Sequence, residues 1–165
     1  MIKPGLLIAS AVLAALLIAC ERGVASTPNT PPATGDRVRV TRVIDGDTVE
    51  IEGGEHVRYV GVDTPETVKP NTSIQCFGEE ASARNKQLVE GKLVTLVRDV
   101  SDRDDYGRLL RYVYVDGTDV SAVLIQEGFG YVYSRSPDTA HLQQYGKLER
   151  EARARGAGLW SACHR

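Results

Sequence analysis

Residues Ile44 to Glu66 read IDGDTVEIEGGEHVRYVGVDTPE. Carboxylates stand there in two turns, Asp45 and Asp47 in Asp-Gly-Asp-Thr and Asp63 and Glu66 in Asp-Thr-Pro-Glu, with Arg58 between them. Thr48, Val49 and Ile51 before Gly53-Gly54, and Val57, Tyr59, Val60 and Val62 after it, predict one β-hairpin, because β-branched and aromatic runs flank a Gly-Gly turn. Antiparallel pairing sets the start of one strand beside the end of the next, so Asp47 and Asp63 are expected at one rim. Carboxylates crowded there repel unless a cation or an arginine compensates. A hard cation with oxygen ligands is the simplest compensation, so the stretch outlines a metal site. Taken singly, each motif is also an ordinary turn. Strict alternation would put Arg58 and Asp63, five residues apart, on opposite faces, which requires a bend near Gly61 if both serve one site.

Working outward, Val38, Val40, Val43 and Ile44 predict a first strand that completes a three-stranded meander. Phe77 to Glu90 predicts a helix packing through Ala81, Ala83, Leu88 and Val89, with Gly91 just past its end. Leu93 to Arg98 and Leu109 to Val115 are two further apolar, β-branched runs. A short helix from Asp119 to Glu127 places Val120, Val123 and Leu124 at helical spacing, and a last one from Thr139 to Arg155 carries Leu142, Tyr145, Leu148 and Ala152. Pattern alone defines an α+β domain of five strands and three helices.

The chain has 165 residues, 42% of them hydrophobic, which suits one globular domain. Part of that apolar content is a leader. Lys3 precedes an apolar run from Leu6 to Ala19, shorter than the roughly 20 residues a membrane span needs, so residues 1–19 are expected to be a signal peptide. The run ends in Leu17-Ile18-Ala19-Cys20, which resembles a bacterial lipobox; Cys20 would then be lipidated, anchoring the protein to an extracytoplasmic membrane surface. Cleavage after Ala25 is the competing reading and would release a secreted protein. Residues 20–35, rich in Pro and Thr, are expected to be a tether, and 36–165 the globular domain. With Cys20 lipidated, Cys76 and Cys163 can form a disulfide in an oxidising compartment; the alternative is two buried thiols.

The motifs of the opening stretch, followed by Phe77-Gly78-Glu79-Glu80-Ala81, Asp105-Tyr106-Gly107-Arg108, Tyr131-Val132-Tyr133 and Leu159-Trp160, resemble the staphylococcal nuclease (thermonuclease) family, over about residues 38 to 160. The resemblance implies an OB-fold five-stranded β-barrel with three helices. It implies Ca²⁺ bound by Asp47, Asp63 and the carbonyl of Thr64. Asp45 would stand behind these ligands, orienting water or making the turn. Arg58 and Arg108 would clamp the phosphate, since guanidinium forks match its oxygens and stay charged. Glu66 would serve the attacking water as general base or as orienting group. Tyr106, Tyr131 and Tyr133 would contact substrate. The implied activity is metal-dependent endonucleolytic hydrolysis of DNA and RNA, single strands preferred, leaving a 3′-phosphate, by a monomer.

The chain departs from the family's pattern in charge. From Asp36 onward 18 Lys and Arg stand against 21 Asp and Glu, and the 67–76 segment has Lys69 as its basic residue. Nucleic-acid affinity rests on phosphate neutralisation by Lys and Arg, so weak, salt-sensitive binding is expected. His56, His141 and His164 lack ligand spacing and are expected to be structural or solvated. Other classes remain open at this stage: a catalytically silent OB-fold module binding nucleic acid or an envelope polymer, and a structural envelope lipoprotein. The joint presence of Arg58, Glu66, Arg108 and both aspartates favours the enzyme.

Overall fold

The computed structural model describes residues 35–67 and 73–163. The expected signal peptide, residues 20–34 of the tether with Cys20 among them, and Lys69 and His164 lie outside the described residues.

The chain runs β1 (Asp36–Asp45), β2 (Thr48–Ile51), β3 (His56–Tyr59), β4 (Val62–Asp63), α1 (Gly78–Val89), β5 (Leu93–Val97), β6 (Leu109–Val115), β7 (Thr118–Asp119), α2 (Val120–Glu127), β8 (Tyr131–Val132), α3 (Leu142–Ala154) and α4 (Leu159–Ala162). The first half of β1 pairs with β5 and the second half with β2, and register shifts after Val40 and Val43 bend it between the two. Bulges of this kind let one strand turn the corner of a barrel. The sheet order β3-β2-β1-β5-β6 closes through a parallel β3–β6 pairing that sets Arg58 beside Leu110. The result is a closed five-stranded OB-type barrel with helices. Three helices are substantial; α4, one turn long, is additional to the expected set.

Val40, Val49, Val57, Val94 and Val113 are fully buried or nearly so in the core. Helix α1 presents Ala81, Asn85 and Val89, spaced by four, to it. Ala83, expected to pack, lies off that face and is exposed, and buried Asn85 stands where an apolar residue would be usual. Its amide earns the position by accepting from the Tyr59 hydroxyl (2.9 Å) and donating to the carbonyl of Asp45 (3.0 Å). Helix α2 starts at Asp119, whose carboxylate caps Ala122 N, and stops at left-handed Gly128. Val120 and Leu124 are buried as expected, Val123 only half so. The sulfurs of Cys76 and Cys163 are bonded, with Cα atoms 5.9 Å apart.

The bend required near Gly61 is present. Strand β3 ends at Tyr59, and β4 leaves the barrel sheet to pair with β8. Gly61 has φ 81°, and a Cβ there would lie 2.5 Å from Cε2 of the Tyr145 ring, so both the turn and the close packing require glycine.

Candidate active site

The Asp-Gly-Asp turn joins β1 to β2, and the Asp-Thr-Pro turn follows β4. Thr64 locks them together: its amide and hydroxyl both donate to Oδ2 of Asp47, at 2.9 and 3.1 Å. The Thr64 side chain fills the space where a Cβ on Gly46 would be, which is the local reason for glycine in the first turn. Asp45 accepts from Gly46 N (2.8 Å) and the Thr67 hydroxyl (2.7 Å). It thus links the first turn to the chain that follows the second.

Because the chain bends at Gly61, Arg58 reaches across the rim. Its guanidinium bonds Asp47 Oδ2 (2.7 Å) and Asp63 Oδ1 (2.6 Å) and donates to the carbonyl of Val62 (2.9 Å). The two aspartates therefore meet at one rim. Asp47 is buried, whereas Asp63 is open to solvent. Burial pushes the Asp47 carboxyl above its ordinary range; the Arg58 charge and the Thr64 amide pull the other way without reversing it.

Arg108 comes from far along the chain, carried to the rim by the β3–β6 pairing. It donates to Oδ2 of Asp104 from Nε and Nη2, each at 2.7 Å, and lies near the Thr48 hydroxyl, 3.4 Å from Nη1. Burial raises the Asp104 carboxyl, but its bonds from the Arg108 side chain and amide outweigh this and hold it below the usual range. Glu66 is fixed through its backbone: its amide donates to Oε1 of Gln75, and its carbonyl accepts from the Gln75 amide, both at 3.0 Å.

Two adjoining clefts of about 490 and 580 Å³ share Arg58, Asp63, Thr64, Glu66, Tyr106 and Arg108 as lining. Tyr133, Gln75 and Arg135 line the first; Asp45, Asp47 and His56 line the second. Tyr106 is 86% exposed, with the Arg108 guanidinium 5.5 Å from its ring centroid, an open face for a planar or charged group. Tyr131 is placed differently: it is not among the lining residues, and its ring packs edge-on against Trp160 at 5.2 Å. Asp104, Gln75 and Arg135 were missed by sequence reasoning. Asp104 could have been suspected from its four-residue spacing to Arg108; Gln75 and Arg135 carry no such signal.

A divalent cation fits the donor chemistry. Asp47 and Asp63 offer carboxylate oxygens close enough together to pair with one guanidinium, that of Arg58, on a rim that Thr64, Glu66 and Arg108 also line. No group of three or more His, Cys, Asp or Glu side chains suited to a metal occurs among the described residues, so any ion here would depend on two carboxylates, main chain and water.

Fold and site together define an OB-type barrel whose rim carries a carboxylate pair, two arginines and a glutamate along one open cleft. The chain belongs to the staphylococcal nuclease family: residues 56–162 match the family described as staphylococcal nuclease homologue. It is 33% identical over 165 residues to a thermonuclease of Staphylococcus hyicus, covering 97% of this chain and 98% of that protein. It is also 47% identical over 129 residues to endonuclease YncB and 45% identical over 129 residues to the SPbeta prophage-derived endonuclease YokF, both of Bacillus subtilis (strain 168). These two matches cover 75% of this chain but only 61% and 44% of the respective relatives.

Proposed function

We propose that this protein is a Ca²⁺-dependent nuclease that hydrolyses DNA and RNA, preferring single strands and leaving 3′-phosphate ends. The observation that carries the reading is the convergence of Arg58, Asp63, Thr64, Glu66 and Arg108 on the lining of both adjoining clefts. A phosphodiester laid across that junction meets a guanidinium from each side, whose charge is aimed where negative charge develops in the transition state. Arg58 and Arg108 are pre-aligned by Asp47, Asp63 and Asp104, so little ordering is left to do on binding. Glu66 holds the attacking water, as base or as orienting group. Asp47, Asp63 and the Thr64 carbonyl would hold Ca²⁺, which polarises the phosphate and offsets its charge when bound. The exposed Tyr106 ring and Tyr133 offer faces to unstacked bases, the basis of a single-strand preference.

Export and lipidation at Cys20 are part of the same reading. They are supported by the lipobox-like sequence and by the bond between the other two cysteines, which suits an oxidising compartment. The protein would then act as a surface-tethered monomer on extracytoplasmic nucleic acid. Loss of membrane sedimentation in Cys20→Ser is expected; equal sedimentation of both forms would count against the anchor.

The test is to incubate the full-length chain with single-stranded DNA in Ca²⁺ and in excess chelator, beside Glu66→Gln. Cleavage in Ca²⁺ alone, lost in the variant with binding retained, is expected. Undiminished binding without cleavage under any condition would instead favour a catalytically silent module.

A further inference from the structure

Four consecutive residues, Gln75 to Gly78, form a strap over the backbone of Glu66. Gln75 makes two hydrogen bonds to it, side chain to amide and amide to carbonyl, both 3.0 Å. Gly78 packs on the same stretch: a Cβ there would lie 3.0 Å from the Glu66 carbonyl oxygen and 3.1 Å from that of Pro65. Its amide donates to the carbonyl of Gln75 (3.0 Å), closing the strap into a turn.

Between them the chain is strained and restrained at once. Phe77 has φ 70°, a left-handed backbone that a bulky side chain adopts only when its surroundings impose it. The restraints are on either side of that bond. The Phe77 ring stacks on Phe129 at 5.3 Å, and Cys76 is bonded to Cys163 at the end of α4. Helix α4 is in turn held to the body through Leu159 N and the carbonyl of Gly128 (2.9 Å). Strain persisting beside a reactive group and countered by a covalent link is the arrangement expected of a positioning device.

We propose that Gln75 is the positioning residue for Glu66, and that the Cys76–Cys163 disulfide holds Gln75 in place, so that turnover depends on the oxidation state of this cysteine pair. The proposal rests on the nuclease reading of Glu66. A dithiol reductant would deliver two electrons and two protons to the Cys76–Cys163 bond, leaving two thiols and closing to its own cyclic disulfide. The barrel strands lie outside the strap and keep their pairing, so the expected consequence is misplacement of Glu66, not unfolding. Displacement of a reacting group by about an ångström costs on the order of tenfold to a hundredfold in rate.

The experiment compares the full-length chain, before and after dithiothreitol, with Cys76→Ser/Cys163→Ser, Gln75→Ala and Gln75→Glu, the last retaining an acceptor oxygen. Two quantities are read: kcat and KM on single-stranded DNA in Ca²⁺, and hydrogen exchange at the Glu66 amide. Reduction, the double serine variant and Gln75→Ala are expected to lower kcat at least about tenfold with KM changed less than about twofold, and to speed Glu66 exchange, while circular dichroism keeps the folded signature. Gln75→Glu is expected to restore most of kcat. Unchanged kcat in Gln75→Ala, or a fall in kcat with Glu66 exchange unaltered, would overturn the proposal. A wild-type chain that binds DNA but never cleaves it would instead overturn the nuclease reading, and the role of Glu66 with it.

Discussion

Removing the amide of Asn85 should loosen the barrel and the site together. Asn85 is fully buried and bridges the Tyr59 hydroxyl and the carbonyl of Asp45, tying α1 to the floor of the Asp-Gly-Asp turn. Asn85→Ala leaves both partners buried without it, at about 1–3 kcal/mol each, so a net loss of about 3 kcal/mol is expected. For a domain of this size a kilocalorie moves Tm by roughly 3–4 °C, which puts the fall near 10 °C. Tyr59→Phe alone removes one donor and is expected to cost about 1 kcal/mol. In the double variant the orphaned hydroxyl no longer exists, so the two losses should fall short of additivity by about 1 kcal/mol. Urea unfolding of the four proteins measures the cycle. Additivity within about 0.3 kcal/mol, or a Tm change under about 3 °C in Asn85→Ala, would refute the bridging account.

Three further perturbations test the site. Asp47→Asn should leave the chelated protein at least as stable as wild type at neutral pH and, on the Ca²⁺ reading proposed above, remove the rise in Tm expected when Ca²⁺ is added to the wild type, as scanning calorimetry would register. The sign follows from burial raising the folded-state pKa of Asp47: its contribution is full below the ordinary value of 3.8 and is lost as pH rises through the folded value. In chelator, then, wild type but not Asp47→Asn should lose stability across that interval. Gly61→Ala must absorb both φ 81° and contact with the Tyr145 ring, and a loss of about 2–4 kcal/mol in denaturant unfolding is expected; a loss below about 1 kcal/mol would contradict the tight bend. Arg135 lines the 490 Å³ cleft; its guanidinium pairs with exposed Asp105 at 3.2 Å, a weak pair that substrate phosphate can replace, and its charge also acts on Asp138. Arg135→Gln should raise KM severalfold at constant kcat and reduce the slope of log affinity against log salt by about one; an unchanged slope would remove Arg135 from the substrate path.

Much of this protein is legible residue by residue. The hairpin over Thr48–Tyr59, the helices halted by glycines and the two carboxylate turns follow from side-chain period and turn chemistry, which act over a few residues. Even the bend at Gly61 was forced by counting, since Arg58 and Asp63 cannot otherwise share a face. Ala83 was misplaced and Asn85 overlooked because a buried amide breaks the apolar pattern that identifies a helix face. Tyr131 looked equivalent to Tyr133 by alternation, yet it packs on Trp160, which arrives from α4.

The sequence by itself determined which residue types are present and how each local segment bends, because those depend on near neighbours. Only the tertiary structure decided which of them meet. Closure of β3 on β6 brings Arg108 to Arg58, Asp104 holds Arg108, and Gln75 grips Glu66 beside a disulfide to the far end of the chain. Such contacts join segments tens of residues apart, and their geometry exists only once the barrel has closed and the loop entropy opposing each encounter has been overcome.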